Sequence, residues 1–196
     1  MLHDRPSWFM RLPHAIRLLV AVLAFAPLVL AAQGASAATT VILVRHAEKA
    51  AEPAADPPLT SVGVARAEAL LDLVRDANVS AIITTQFART RQTAVPTAAR
   101  LGLTAEVMDA RAPQHVKAEA DSILARHRGK TVLVVGHSNT VTAIVGALGA
   151  PLPANICDAE YDNVFVVTVP PTGAATVAHL HFGAVSPVDA SCRAMK

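Results

Sequence analysis

Apolar and polar positions fall in blocks along this chain. Val41-Ile42-Leu43-Val44 is an uninterrupted run of β-favouring residues, the composition of a strand buried on both faces, and Arg45 and His46 follow it with no spacer. From Thr60, a capping residue, Val64, Ala67, Leu71 and Val74 recur at three- and four-residue spacing, which predicts a helix to about Asp76. Ala81 to Thr84 reads as a second strand, and Thr85 to Thr93 leads from its end into a helix finishing near Arg100. Thr104 to Met108 makes a third strand, ending at Asp109, before a polar helix from about Val116 to His127. Gly129-Lys130 turns the chain into a fourth strand, Thr131 to Val135, which ends in Gly136-His137-Ser138-Asn139. A helix from about Thr140 to Leu148 follows, then strands near Phe165 to Val169 and Thr176 to Phe182, with Pro170-Pro171-Thr172-Gly173 as the turn between them. This alternation predicts an α/β fold of three layers, a mostly parallel central sheet with helices on both faces, in a single domain.

The N-terminal stretch breaks the pattern. Residues 1 to 17 carry Arg5, Arg11 and Arg17, residues 18 to 32 are an apolar run broken by Pro27, and Ala35-Ser36-Ala37 supplies small residues. That is the layout of a secretory signal peptide over 1–37, cut after Ala37, with residues 38–196 as the domain and a periplasmic or secreted location. An uncleaved anchor is the alternative, although the run is short for a span of about 20 residues, and Met10 is an alternative start. Setting aside the three arginines and Asp4 leaves 14 basic and 14 acidic residues. A near-neutral body argues against nucleic acid or an anionic membrane as the main partner, so any anion specificity has to come from local arginines.

Candidate chemistry gathers at strand ends. Strand one ends in Arg45 and His46, strand two in the segment with Arg89 and Arg91, strand three in Asp109 and strand four in His137. In an open parallel sheet those ends face one crevice. Two histidines and two arginines there suit a dianion such as a phosphoryl group, because arginine forks match phosphate oxygens. A divalent metal on His46 and His137 is disfavoured by the adjacent arginines. The Ala- and Pro-rich segment Lys49 to Thr60 is placed to cover the site. Thr85 reads equally as a phosphate contact or a turn residue, Asn139 as a helix cap or a phosphate contact, and Arg91 as a solvated helix residue. His179 and His181 share a strand face without a third ligand, and Asp158, Glu160, Tyr161 and Asp162 form either a crevice rim or a polar loop. Cys157 and Cys192 either pair, tying the tail to the loop before strand five, or lie buried as thiols.

Val44-Arg45-His46-Ala47-Glu48 resembles the Arg-His-Gly/Ala-Glu signature of the histidine phosphatase superfamily, with its phosphoglycerate mutase-like fold. Leu59-Thr60-x-x-Gly63 resembles that family's first helix start, Arg89-x-x-x-Thr93-Ala94 its Arg-x-x-x-Thr-Ala element, and Gly136-His137-Ser138-Asn139 the segment of its second site histidine. The resemblance implies His46 as nucleophile, forming a phosphohistidine that water hydrolyses. Arg45, Arg89 and His137 would hold the phosphoryl oxygens, with no metal or cofactor. The chain departs from the pattern at the general acid: no Glu segment with Gly and Trp follows the second arginine, and Ser138 stands where histidine acid phosphatases carry Asp. Asp109 is the candidate donor, with a helix-cap or turn role as its alternative. In its missing acid and short length the chain resembles the small bacterial phosphohistidine phosphatases, but the signal argues against a cytoplasmic phosphorelay partner. The expected function is an exported phosphomonoesterase acting on a small phosphorylated molecule. The alternatives are a lapsed phosphate-binding module, a mutase-like phosphotransferase and a phosphohistidine protein phosphatase. Specificity is expected from Lys49 to Thr60 and from the segment after Asp109; oligomeric state has no signature.

Overall fold

The domain is assembled around β1 (Thr39–Arg45). In the computed structural model, which describes residues 37–187, one edge of this strand pairs in parallel with β4 (Thr131–Gly136), and the other pairs antiparallel with β5 (Asn163–Val169). Leu43 therefore lies between Val134 and Phe165. With β2 (Val79–Thr85), β3 (Glu106–Met108) and β6 (Thr176–His181) the sheet has six strands in the order β3-β2-β4-β1-β5-β6. Four are parallel, and β5 and β6 add an antiparallel edge.

Alternation along β1 sends its side chains into two cores. Ile42 and Val44 pack with Ile82, Leu133 and Val135 under α1 (Ser61–Val74) and α2 (Ala88–Leu101), through Leu70, Val74 and Ala94. Val41 and Leu43 pack with Ile83, Val134 and Phe165 under α3 (His115–Arg126) and α4 (Val141–Ala147), through Ile123, Val141 and Ile144. Each such burial contributes about 1.5–3 kcal/mol, which is why an unbroken apolar run is stable only with helices on both sides. The predicted three-layer, mostly parallel α/β sheet is the fold observed.

Element ends differ from the sequence reading by one or two residues; β1, β2 and β5 begin two residues earlier than expected, and at β3 Thr104 and Ala105 stay outside the strand. β3 is an edge with only Ile83 to Thr85 of β2 to pair with. The signal-peptide segment up to residue 36, and Cys192 with any bridge it makes to Cys157, lie outside the described residues. Among the described residues no helix is long and apolar enough to cross a membrane.

Connections decide where the sheet opens. After β1 the chain passes to α1 on one face, and after the neighbouring β4 to α4 on the other. Loops leaving adjacent strands in opposite directions create a crevice at their carboxyl ends. β5 runs the other way, with Val164 opposite Val44, so the chain approaching it also arrives at that crevice.

Candidate active site

His46 and His137 follow the two strands that bound the crevice, and their rings are 5.4 Å apart, edge to face. His46 is buried, its backbone N–H donating to the Gly136 carbonyl at 2.9 Å. Its Nδ1 lies 2.8 Å from the Ala47 carbonyl. A carbonyl only accepts, so Nδ1 carries the proton and Nε2 presents the lone pair. Ala47 is itself held, its N–H donating to Thr93 Oγ1 at 2.9 Å while that hydroxyl donates to the Arg89 carbonyl at 2.8 Å.

Arg45 is buried beneath Tyr161, its guanidinium carbon 4.1 Å from the ring centroid. Nη1 donates to the carbonyls of Cys157, Asp158 and Glu160 at 2.8, 2.9 and 2.9 Å, and Nη2 lies 3.5 Å from Asp158 Oδ1. This cradle is the loop entering the antiparallel β5. Nε of Arg45 and Nε of Arg89 are buried with no hydrogen-bond partner among the described residues, donors left over for an incoming anion.

Glu48 faces away from this chemistry. Its carboxylate takes Arg66 Nε at 3.0 Å to each oxygen and Nη2 at 2.7 Å, while Arg66 Nη1 donates to the Phe182 carbonyl at 3.0 Å. The Glu48 carbonyl accepts the Thr60 N–H at 2.9 Å, and Thr60 Oγ1 accepts the Gly63 N–H at 3.1 Å as the cap of α1. A Cβ on Gly63 would come 2.2 Å from the Glu48 oxygen. The Leu59-Thr60-x-x-Gly63 element therefore clasps the segment carrying His46 to α1.

Arg89 stands in the first turn of α2. Its guanidinium stacks 4.2 Å from the Phe87 ring centroid, Nη2 is 3.4 Å from His137 Nδ1, and Nη1 is 3.9 Å from Asp56 Oδ1. Asp56 Oδ1 also accepts the Ala88 N–H at 2.8 Å, so the Lys49 to Thr60 segment secures the start of α2 and its arginine. His137 Nε2 is 3.0 Å from Thr85 Oγ1, which is 2.9 Å from Thr90 Oγ1.

Burial foremost, then Arg45, His137 and Arg89, lower the His46 pKa to about 3 against its bond to Ala47. Burial followed by Arg89, His115 and Arg45 lowers that of His137 to about 4. Both imidazoles are therefore neutral at neutral pH, and His46 keeps its lone pair. Burial also lowers the pKa of Arg45 and Arg89, against the pull of nearby acidic groups, from a value high enough to leave both charged.

A cavity of about 380 Å³ opens here, lined by Arg45, His46, Arg89 and His137 with Phe87, Ser138, Asn139 and Thr140. Asn139 reaches it, but the cap of α4 is Thr140, whose Oγ1 accepts the His137 N–H at 3.1 Å. Thr85 lies behind His137 and orients it, and is not among the lining residues. Asp109 is also outside the lining. Its Oδ1 accepts Gln86 Nε2 at 2.8 Å and the Arg111 N–H at 2.9 Å, the turn role that was its alternative. Arg91 is exposed on α2. His179 and His181 pair with Asn163 and Asp162 instead. Among the described residues no group of three or more His, Cys, Asp or Glu is arranged to hold a metal ion.

Sequence reasoning did not name Arg111, His115 or Lys49 as site residues, whereas Asp158, the lone acidic lining residue, belongs to the cluster read as a crevice rim or a polar loop. Strand-end logic stopped at Asp109, whereas the side chains that reach the cavity come two and six residues later. Lys49 and the Arg111–His115 stretch do fall in the two segments expected to set specificity.

A model of the histidine phosphatase superfamily (branch 1) matches residues 41–112. No curated protein sequence matches the chain. Among solved structures, the protein histidine phosphatase SixA complexed with tungstate superposes with a TM-score of 0.58 at 19% identity, over 72% of this chain and 96% of its own. A Nakamurella multipartitia structure named, as a provisional assignment, phosphohistidine phosphatase SixA is 27% identical over 77% of this chain and 100% of its own, with a TM-score of 0.53. Bacillus stearothermophilus YhfR is 22% identical over 71% of this chain and 95% of its own, with a TM-score of 0.56. Over residues 41–112 the sequence is thus similar to the histidine phosphatase superfamily (branch 1), and the described residues share the fold of these phosphatase structures.

Proposed function

We propose that the protein is an exported, metal-independent phosphomonoesterase that hydrolyses a small phosphorylated molecule through a phosphohistidine on His46. One observation carries this reading: the 2.8 Å bond of His46 Nδ1 to the Ala47 carbonyl, which aims a neutral Nε2 lone pair among Arg45, Arg89 and His137. In the first half-reaction Nε2 attacks phosphorus, and the P–O ester bond breaks with its electron pair leaving on the ester oxygen. Arg45 and Arg89 neutralise charge building on the transferring oxygens. A bound dianion also favours the charged form of His137, whose proton passes to the departing ester oxygen and is taken back from the attacking water in the second half-reaction. In the second half, water attacks phosphorus, the N–P bond returns its electron pair to Nε2, and inorganic phosphate departs.

Support for export is the signal-type pattern of residues 1–37, which also favours a small-molecule substrate over a cytoplasmic phosphohistidine protein. A second reading, a phosphate-binding module without turnover, is favoured by the cavity's single carboxylate: Asp158 is occupied by Arg45.

Hydrolysis of para-nitrophenyl phosphate, with EDTA present, separates the two. Activity that survives EDTA and falls by about 10³-fold or more in His46→Ala is the expected result. Activity retained by His46→Ala would sink the nucleophile assignment, and an inactive wild type would leave the binding module.

A further inference from the structure

Charge around the cavity exceeds what one phosphoryl group needs. Its lining has four cations, Arg45, Lys49, Arg89 and Arg111, against the single acid Asp158, although the domain as a whole is near neutral. A phosphoryl dianion is matched by Arg45 and Arg89. Lys49 and Arg111 remain, and among the described residues neither side chain has a carboxylate partner, whereas the other two lining cations each have one nearby, Arg45 with Asp158 at 3.5 Å and Arg89 with Asp56 at 3.9 Å. Uncompensated cations facing one concavity concentrate field there and attract anions. His115 adds a buried Nε2 with no hydrogen-bond partner.

Geometry places this surplus within reach of one small ligand. The Phe87 ring carries Arg89 at 4.2 Å and Arg111 at 5.0 Å from its centroid, so the two guanidinium carbons lie within about 9 Å of each other whichever faces they occupy. The cavity's 380 Å³ is within the roughly 300–1,000 Å³ of small-molecule sites, more room than phosphate alone requires.

We propose that Lys49, Arg111 and His115 form a second anion subsite, and that the substrate is a small phosphomonoester bearing a second anionic group. The inference rests on the phosphomonoesterase reading for the position of the first anion. Arg111 supplies a planar fork for a carboxylate or phosphate, and Lys49 supplies a mobile point charge. Exposure of Arg111 makes the effect sensitive to salt.

Two substrate pairs test it with the full chain at low ionic strength. 3-Phosphoglycerate against glycerol 3-phosphate isolates a carboxylate, and fructose 1,6-bisphosphate against fructose 6-phosphate isolates a second phosphate. The expected result is at least a tenfold higher kcat/KM for the doubly anionic member of one pair, falling to a ratio near one in Lys49→Ala/Arg111→Ala. Ratios near one in a wild type that hydrolyses para-nitrophenyl phosphate would overturn the subsite and leave the phosphatase reading standing. If the wild type turns over nothing, that reading fails, and calorimetric affinities for the same compounds decide the subsite: about tenfold tighter binding of the member with the second anionic group upholds it, and equal affinities overturn it.

Discussion

Thr85→Val removes one hydroxyl from behind His137 while keeping the side chain's shape. Thr90 Oγ1 lies 3.1 Å from the Thr85 carbonyl and 2.9 Å from the Phe87 carbonyl, so its proton is spent on a carbonyl and its oxygen accepts from Thr85, 2.9 Å away. The Thr85 oxygen in turn accepts the His137 Nε2 proton at 3.0 Å, which leaves Nδ1 as the lone-pair nitrogen toward Arg89. All three side chains are buried. Valine leaves the Nε2–H unpaired or lets the ring turn, a loss of about 1–3 kcal/mol for a buried donor. If the ring's orientation is needed mainly as charge develops on the phosphoryl oxygens, that loss appears in kcat as a fall of roughly 5- to 150-fold, with KM changed less. The assay is steady-state hydrolysis of para-nitrophenyl phosphate, with Thr85→Ser expected to restore most of kcat. A folded Thr85→Val with kcat within twofold of wild type would refute the relay.

Three further outcomes follow from the same structure. Glu119 is buried on α3, and burial raises its carboxyl from 4.5 to about 7. Stability from this group is therefore full below pH 4.5 and is lost as pH rises through 7, by about 3 kcal/mol; Glu119→Gln should flatten that slope in denaturant titrations, and superimposable curves from pH 4.5 to 8 would contradict it. In Gly63→Ala the new methyl meets the Glu48 carbonyl oxygen, so thermal unfolding should show about 1–3 kcal/mol lost and a Tm lower by several degrees, with activity reduced because Glu48 is two residues from His46. Asp109→Asn should leave the pH–rate profile within about twofold of wild type, since the carboxylate's contacts are Gln86 and the Arg111 N–H; loss of the alkaline limb would restore Asp109 as the proton donor.

Burial of charge explains how the site holds its geometry. Arg45 has the carbonyls of Cys157, Asp158 and Glu160 in place of water, and Arg66 has Glu48 with the Phe182 carbonyl. Taking such groups out of water costs several kcal/mol unless every donor finds an acceptor. The carbonyl partners of both arginines come from more than a hundred residues later in the chain, so neither cradle is complete until β5 and β6 have joined the sheet, although Glu48 reaches Arg66 from only 18 residues away.

Four continuous apolar residues ending in Arg45-His46, the helix spacing after Thr60, and two more buried strands ending in Thr85 and Gly136-His137 suffice to predict the three-layer fold and to send Arg45, His46, Arg89 and His137 to one sheet edge. Periodicity and strand-end position are local properties, legible without the rest of the chain. Which atoms those residues present is not local. The Ala47 carbonyl decides the His46 tautomer, the β5 loop decides that Arg45 Nη1 is spent and Nε is free, and the Phe87 ring brings Arg111 beside Arg89. Asp109 shows the boundary most clearly. As a strand-end acid it qualified by sequence, but hydrogen bonds to Gln86 and the Arg111 N–H turn it into a loop fastener. Pattern selects which side chains arrive at the crevice, because burying the apolar face of an element fixes where its ends lie; hydrogen-bond partners distant in sequence decide what each can do there, because a buried donor or acceptor takes its role from whatever the folded chain sets opposite it.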